Sequence, residues 1–341
     1  MPERSLDPEL RIDPLTGLKV VFAPQRADRP LSFEASRTHG EAKADCPFDE
    51  QREDQTPPET WALRPGGGAS DSPGWLVRSV PNKYPVLSEA VDSNTSAPAD
   101  PLASGRGDPD LFPAAAATGA HEVIIHSPRH LVALADLGPE QLRHVLEAWS
   151  ARLEAHARAR YVHVMVNEGS AAGASLEHSH TQVYALGLVP AAVARERERF
   201  TAHNTRTMGG CLLCDLLQAE VRERERVIEV DDDAVLLAPF ASRGPYELRI
   251  VPRKHTKSFS DGGPAAAAGL LDQAVQRLRR RLGEGLPLNL WLRTAPLDAE
   301  HFHWHIDILP RLTVPAGFEL GTGMNINIYP PERAAEDLRE V

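Results

Sequence analysis

Residues 167–182 read NEGSAAGASLEHSHTQ, and the reading of this stretch decides the fold. It sets Gly169, Gly173 and Ser175 ahead of His178, His180 and Gln182 at the end of an expected strand. Glycine admits backbone conformations that turn several amide N–H groups toward one point, so such a turn can cradle a phosphate. In an extended His-x-His both imidazoles share one face, which lets one be anchored while the other reacts. Gln182 falls on the same face and can donate its amide to a phosphoryl oxygen. Tyr161 to Val166 (YVHVMV) is the expected strand that delivers Asn167 to the turn, with His163 a packing residue within it.

The 341-residue chain has room for two modest domains or one large one. Its net charge of −11 argues against a general nucleic-acid binder, so an anionic substrate must meet a local basic cluster. No stretch approaches a membrane-spanning length, and the opening MPERSLDPEL is charged and lacks a signal-peptide core. A cytoplasmic protein is expected. The three cysteines, Cys46, Cys211 and Cys214, are too few for a disulfide framework. A C-x-x-C pair in a reducing compartment points to metal or redox chemistry instead.

The order N-x-G-x-x-x-G-x-S followed by H-x-H-x-Q resembles the galactose-1-phosphate uridylyltransferase family, the transferase branch of the histidine-triad superfamily. The resemblance implies that His180 is the nucleophile, with Ser175 and Gln182 beside it and Asn167, Gly169 and Gly173 holding phosphate. Ser179 and Thr181 stand where the uridylyltransferase proper has proline and glycine, as in the related plant ADP-glucose phosphorylase. The implied reaction is nucleotidyl transfer from a nucleoside diphosphate sugar through a nucleotidyl-histidine. UDP-glucose:hexose-1-phosphate uridylyltransfer is the first reading. The alternative is a phosphorylase of ADP-glucose or of a dinucleoside polyphosphate, with orthophosphate as acceptor.

Further matches extend along the chain. Arg26 and Arg29 fall in an R-x-x-R-P string that approaches the nucleotide in the family, a task for which the guanidinium fork is suited. VPNKYP (residues 80–85) resembles a family stretch lining the nucleotide pocket, which makes Asn82, Lys83 and Tyr84 candidates. Cys46 matches a family zinc cysteine, while Asp49 replaces the second; aspartate is the harder and less selective ligand. Family hexose-phosphate contacts fall near Phe318, Glu319 and Asn325. The family also implies a homodimer with shared residues.

The second half repeats the first. Adding 125 to His130, Pro139, His178 and Pro190 gives His255, Pro264, His303 and Pro315, and Glu122 maps to Glu247. We read duplication of one strand–helix–strand module. Each copy has an upstream cysteine pair or its remnant, which together with the histidines suggests two Zn2+ sites: Cys46, Asp49, His130 and His178, then Cys211, Cys214, His255 and His303. The expected fold is α+β: two histidine-triad-like modules, each an open antiparallel sheet with helices on one face. The modules span 1–190, catalytic, with 88–118 a mobile insertion, and 191–341, structural. Pro139 opens a helix with Leu142, Val145, Leu146, Trp149 and Leu153 as its core stripe; residues 190–205 read as a charged surface helix. In the second copy Gln182 becomes Asp307, a carboxylate that would repel phosphate. A rival reading, a zinc-stapled binding protein with a dead site, is opposed by the intact His180 and Gln182.

Overall fold

The computed structural model describes residues 7–28, 45–88, 111–112 and 114–341. Arg29 and most of the 88–118 insertion lie outside the described residues. The first half supplies strands β1 (Glu9–Ile12), β2 (Lys19–Phe22), β3 (Trp61–Leu63), β4 (Val77–Pro81) and β5 (Gly119–Ile125). Helix α1 (Gly138–Ala155) and strands β6 (Tyr161–Glu168) and β7 (His180–Leu186) complete it. Then come α2 (Ala191–Thr207), α3 (Leu212–Glu223), β8 (Val227–Val230), β9 (Ala234–Leu237), β10 (Leu248–Pro252) and α4 (Gly263–Leu282). The chain closes with β11 (Leu288–Arg293), β12 (His305–Pro310), α5 (Gly317–Thr322), β13 (Asn325–Asn327) and α6 (Pro331–Arg339).

Alternation along the strands builds the core. Val162, Val164 and Val166 of β6 bury with Val183 and Ala185 of β7, Leu288, Leu290 and Leu292 of β11, and Ile306 and Ile308 of β12. Because successive strand side chains point to opposite faces, these residues all line one side of the sheet. The stripe Leu142, Val145, Leu146, Trp149 and Leu153 of α1 covers that side, and Leu270, Leu271, Ala274, Val275 and Leu278 of α4 continue the layer over the second half. Both helices start with proline in the first turn, where the missing N–H costs nothing. α4 ends with Arg279, Arg280 and Arg281, which complement its C-terminal dipole.

The two halves do not form separate sheets. Their strands join edge to edge in one antiparallel ten-stranded sheet, ordered β3-β4-β5-β7-β6-β11-β12-β10-β9-β8. The seam is β6 against β11, from Leu288 opposite Glu168 to Leu292 opposite Val164. A second, three-stranded sheet, β1-β2-β13, sets the beginning of the chain beside its end, with β13 parallel to β2. Arg11 strengthens the junction by an ion pair to Glu332 at 2.9 Å, both side chains being buried. No described helix is long and apolar enough to cross a membrane.

The 190–205 segment is a helix, as its composition suggests, but it is not merely a solvated one. Val193, Glu196 and Phe200 of α2 are buried, and Phe200 packs on Phe302 with ring centroids 4.9 Å apart. The run ARERERF hides this inner face because one of its acids, Glu196, points inward to His305 at 3.4 Å.

Candidate active site

The sheet face opposite α1 and α4 carries the candidate residues. Alternation on β7 places His180, Gln182 and Tyr184 there, while Thr181, Val183 and Ala185 face the helices. His180 is 5% exposed, and its Nδ1–H donates to the His178 carbonyl at 2.7 Å. The remaining nitrogen, Nε2, therefore keeps its lone pair. Burial pushes the His180 pKa below the ordinary imidazole value, so the ring is neutral at neutral pH. A neutral, anchored imidazole with one free lone pair is what nucleophilic attack on phosphorus requires. Phe48 stands edge-on to this ring at 5.5 Å.

The strand bearing His180 is clamped from behind. His126 is fully buried, with Nδ1 2.8 Å from Ser179 Oγ and Nε2 2.7 Å from Thr181 Oγ1. Trp149 of α1 adds an N–H donated to Thr181 Oγ1 at 2.8 Å. Ser179 and Thr181, the residues that depart from the uridylyltransferase pattern, thus become the hydroxyls that fix the strand. His126 itself is held neutral, its pKa driven down chiefly by burial and then by the neighbouring His180 and His178.

The expected glycine turn is present. Gly169 and Gly173 both take positive φ, +80° and +88°, which glycine alone adopts without strain. The N–H groups of Ala172, Gly173 and Ala174 are used inside the turn, on the carbonyls of Gly169, Ser170 and Gly169. The turn is therefore preformed, and these three amides stabilise it rather than face outward. Ser175 is exposed beyond it, and Asn167 is the last residue but one of β6, at its base.

The other candidates fall into two groups. Asn82 leaves β4 beside the site, its backbone N–H donating to the His121 carbonyl at 2.8 Å, and Lys83 and Tyr84 are exposed next to it. Arg26 is exposed on a turn directly after β2. That turn is tied to β13 by the Ala23 N–H donating to the Asn327 carbonyl at 3.0 Å, so Arg26 and Asn325 sit on neighbouring segments. Phe318 and Glu319 lie on α5, where Glu319 accepts the Ala316 N–H at 2.9 Å as a helix cap. His163 is on the site face of β6 and is half-buried, desolvation pushing its pKa down to about 4.

Both expected metal quartets converge, their ligand atoms lying within 4.8 Å of one another in each. In the second, Cys211 Sγ and Cys214 Sγ are 3.7 and 3.5 Å from His303 Nδ1, and Cys214 Sγ is 3.6 Å from His255 Nδ1. A tetrahedral zinc ion with ordinary Zn–S and Zn–N bonds sets such atoms about 3.5 Å apart. The donor set fits. Cys211 is the residue before α3, and hydrogen bonds from Cys214 and then His303 lower its thiol pKa, while the same contact with Cys211 raises that of Cys214. In the first quartet Cys46 Sγ is 3.7 Å from His178 Nδ1, and Asp49 Oδ1 lies 3.1 Å from His178 Nδ1 and 2.9 Å from His130 Nδ1. His178 donates its Nε2–H to the Ser127 carbonyl at 2.9 Å, which turns Nδ1 to the quartet. These residues fit a metal too, with a carboxylate in place of one thiolate.

That carboxylate makes an expected difference. The first site should yield its zinc to a chelator before the second does, and Asp49→Cys should reverse or abolish the order, because thiolate is the softer ligand. Zinc release would be followed with a chromogenic chelator. A single zinc per chain, unaffected by Asp49→Cys, would show that this quartet holds none.

The second half repeats the strand of His180 in different surroundings. His305 Nδ1 lies 3.3 Å from the His303 carbonyl, as His180 does from His178, but α2 covers it. Asp307 sits where Gln182 does, bound by Arg249 at 2.6 Å and approached by Arg243 at 3.5 Å. Burial raises Glu196 to about 7 and lowers His305 to about 3. This face is a packed ionic layer rather than an opening.

Comparison with known proteins shows what the chain as a whole resembles. A family model for the galactose-1-phosphate uridyl transferase N-terminal domain matches residues 2–190, and a domain of unknown function, DUF4921, matches residues 139–340. ADP-glucose phosphorylase of Arabidopsis thaliana is 32% identical over 98% of this chain and 93% of its own length. The galactose-1-phosphate uridylyltransferase of Thermotoga maritima is 26% identical over 97% of this chain and 98% of its own. Among solved structures, the Arabidopsis ADP-glucose phosphorylase with bound ADP-glucose superposes with a TM-score of 0.78, covering 98% of this chain and 99% of that one. A uridylyltransferase at 26% identity gives 0.69, covering 97% of each chain.

Proposed function

Because the chain belongs to the galactose-1-phosphate uridylyltransferase family and is a nucleotidyltransferase, we propose that it transfers a nucleotidyl group from a nucleoside diphosphate hexose by way of His180. The observation that carries this reading is the state of that histidine: neutral, buried, its Nδ1–H fixed on the His178 carbonyl and its Nε2 lone pair left for attack. Nε2 bonds to the α-phosphorus while the α–β anhydride P–O bond breaks, and the electron pair leaves on the sugar 1-phosphate. The resulting imidazolium keeps its Nδ1–H on the His178 carbonyl, which stabilises its charge. An acceptor phosphate oxygen then attacks the same phosphorus, and the P–N electrons return to Nε2. Gln182, Asn167 and Ser175 offset the phosphoryl charge, and the turn bounded by Gly169 and Gly173 gives the backbone shape beside them. Arg26, Arg29, Asn82 and Lys83 are the substrate-binding residues of this reading.

With hexose 1-phosphate as acceptor and UDP-glucose as donor, the reaction is hexose-1-phosphate uridylyltransfer, the activity named for the family. A second reading, phosphorolysis of ADP-glucose to ADP and glucose 1-phosphate, is favoured by two observations. Ser179 and Thr181 serve as hydroxyl partners of His126, and a relative named ADP-glucose phosphorylase is 32% identical along the chain. Zinc held by Cys211, Cys214, His255 and His303, and by Cys46, Asp49, His130 and His178, would anchor loops; through His178 the first would hold the strand of His180 still. We read the protein as a cytoplasmic homodimer of two modules, 1–190 and 191–341.

The test is a panel of nucleotide sugars, each offered with orthophosphate and with several hexose 1-phosphates. Release of glucose 1-phosphate from UDP-glucose only with a hexose 1-phosphate supports the first reading, and from ADP-glucose with phosphate the second. Release from no nucleotide sugar with any acceptor would overturn both.

A further inference from the structure

Two amides face the reacting phosphoryl group in this reading, Asn167 and Gln182. An amide is useful there in one orientation only: its NH2 attracts an anionic oxygen, and its carbonyl repels one. What fixes the orientation lies outside the catalytic motif.

For Asn167 the argument starts from a backbone carbonyl. Asn289 of β11 lies opposite Asn167 across the seam, and its Nδ2 is 2.8 Å from the Ala172 carbonyl and 2.8 Å from Asn167 Oδ1. A carbonyl can only accept, so the Asn289 atom facing it is the NH2. Both hydrogens of that NH2 are then assigned, and the Asn167 atom they reach must be its oxygen. The Asn167 NH2 is turned the other way, beside Gly173, where an added Cβ would lie 3.7 Å from it.

For Gln182 the donor on Oε1 is Tyr184. Its O–H donates from two residues along the same strand face, and burial raises the Tyr184 pKa, so the phenol stays protonated. His121 Nε2 lies 3.1 Å from the same oxygen, and the His121 and Tyr184 rings stack at 4.2 Å, which holds the phenol in place. His121 is fixed in turn by Asn82, whose Nδ2 lies 3.1 Å from Nε2 and whose Oδ1 accepts the Tyr84 N–H at 2.8 Å.

We propose that Asn289, from the second half of the chain, and Tyr184 with His121, from the first, are positioning residues that lock the Asn167 and Gln182 amides with their NH2 groups toward the phosphoryl oxygens. The second half thus shapes the transition state without touching it. The proposal rests on His180 as the nucleotidylated residue, and the experiment separates the two.

Wild-type protein, Tyr184→Phe, Asn289→Asp, Gln182→Ala and the double variant Tyr184→Phe/Gln182→Ala are each mixed with UDP-glucose and ADP-glucose labelled at the α-phosphorus. The rate and substrate dependence of acid-labile label on protein are read by rapid quench. Tyr184→Phe should slow labelling about tenfold with little change in half-saturation, because the lost interaction acts in the transition state. Asn289→Asp should slow it about a hundredfold, since a carboxylate there reverses the Asn167 amide. In the Gln182→Ala background Tyr184→Phe should change the rate less than about twofold, because the group it positions is gone. A tenfold loss in both backgrounds, or no loss in either, would overturn the proposal while leaving His180 in its role. If Asn289→Asp does not fold, the Tyr184 comparison decides alone. Absence of label on wild-type protein with both sugars would overturn the nucleotidyl-histidine reading, and this proposal with it.

Discussion

His180→Gly should lower turnover by about a thousandfold or more while leaving the fold and the zinc content near wild type. The size follows from what is removed. What is removed is a buried neutral imidazole whose Nδ1–H is anchored and whose Nε2 keeps its lone pair. His126 is close but has both nitrogens hydrogen-bonded to hydroxyls, and His178 points its lone pair at Cys46 and Asp49. Neither can take over. The fold should survive because the neighbours of His180 in the strand are secured independently, through Ser179 and Thr181 to His126 and Trp149. Turnover would be measured with the donor and acceptor found in the panel, and folding by circular dichroism and metal content. More than a tenth of wild-type activity in the glycine variant would remove His180 from the role.

The largest effect on stability should come from the second quartet. Cys211→Ser and His303→Ala should each lose one zinc per chain and destabilise the protein by on the order of several kcal/mol. The geometry explains why. Cys211 and Cys214 open α3, His255 follows β10, and His303 precedes β12, so the quartet joins positions up to 92 residues apart. Closing such loops removes much freedom from the unfolded chain, and the variants return it. Denaturant midpoints, read beside elemental analysis, test both halves of the claim. Unchanged zinc in both variants would reject the site.

The sequence makes some of this legible and hides the rest, for physical reasons. The α1 stripe is readable because burial on one helix face repeats every 3.6 residues, and all five of its expected core residues are buried. The metal quartets are readable because cysteine is rare and the 125-residue register pairs each histidine with its counterpart. The join of β6 to β11 is not readable, since strand edges pair through backbone groups that carry no side-chain code. For the same reason Asn289 gives no signal: its role exists only across that seam. Tyr184 could be found, because the period of two that puts His180 and Gln182 on one face puts Tyr184 there as well. His121 and His126 in HEVIIHSP read as ordinary strand and loop residues until their partners are known. The helix α2 misleads because a buried Glu196 looks like one more solvated charge in a charged run.

The small sheet has a consequence in the time domain. β2 is complete when residue 22 is made, yet its parallel partner β13 begins at residue 325. At about 5–20 residues per second, the ribosome needs roughly 15–60 s to supply it. Until then β1 and β2 lack their third strand, and a two-stranded hairpin is marginal in water; part of the cover of Val20 and Phe22 comes earlier, from Ala241. The strand of His180, β7, and its backing helix α1 are synthesised well inside the same interval. The nascent chain thus holds β7 long before the β1–β2 hairpin gains the strand that completes its sheet.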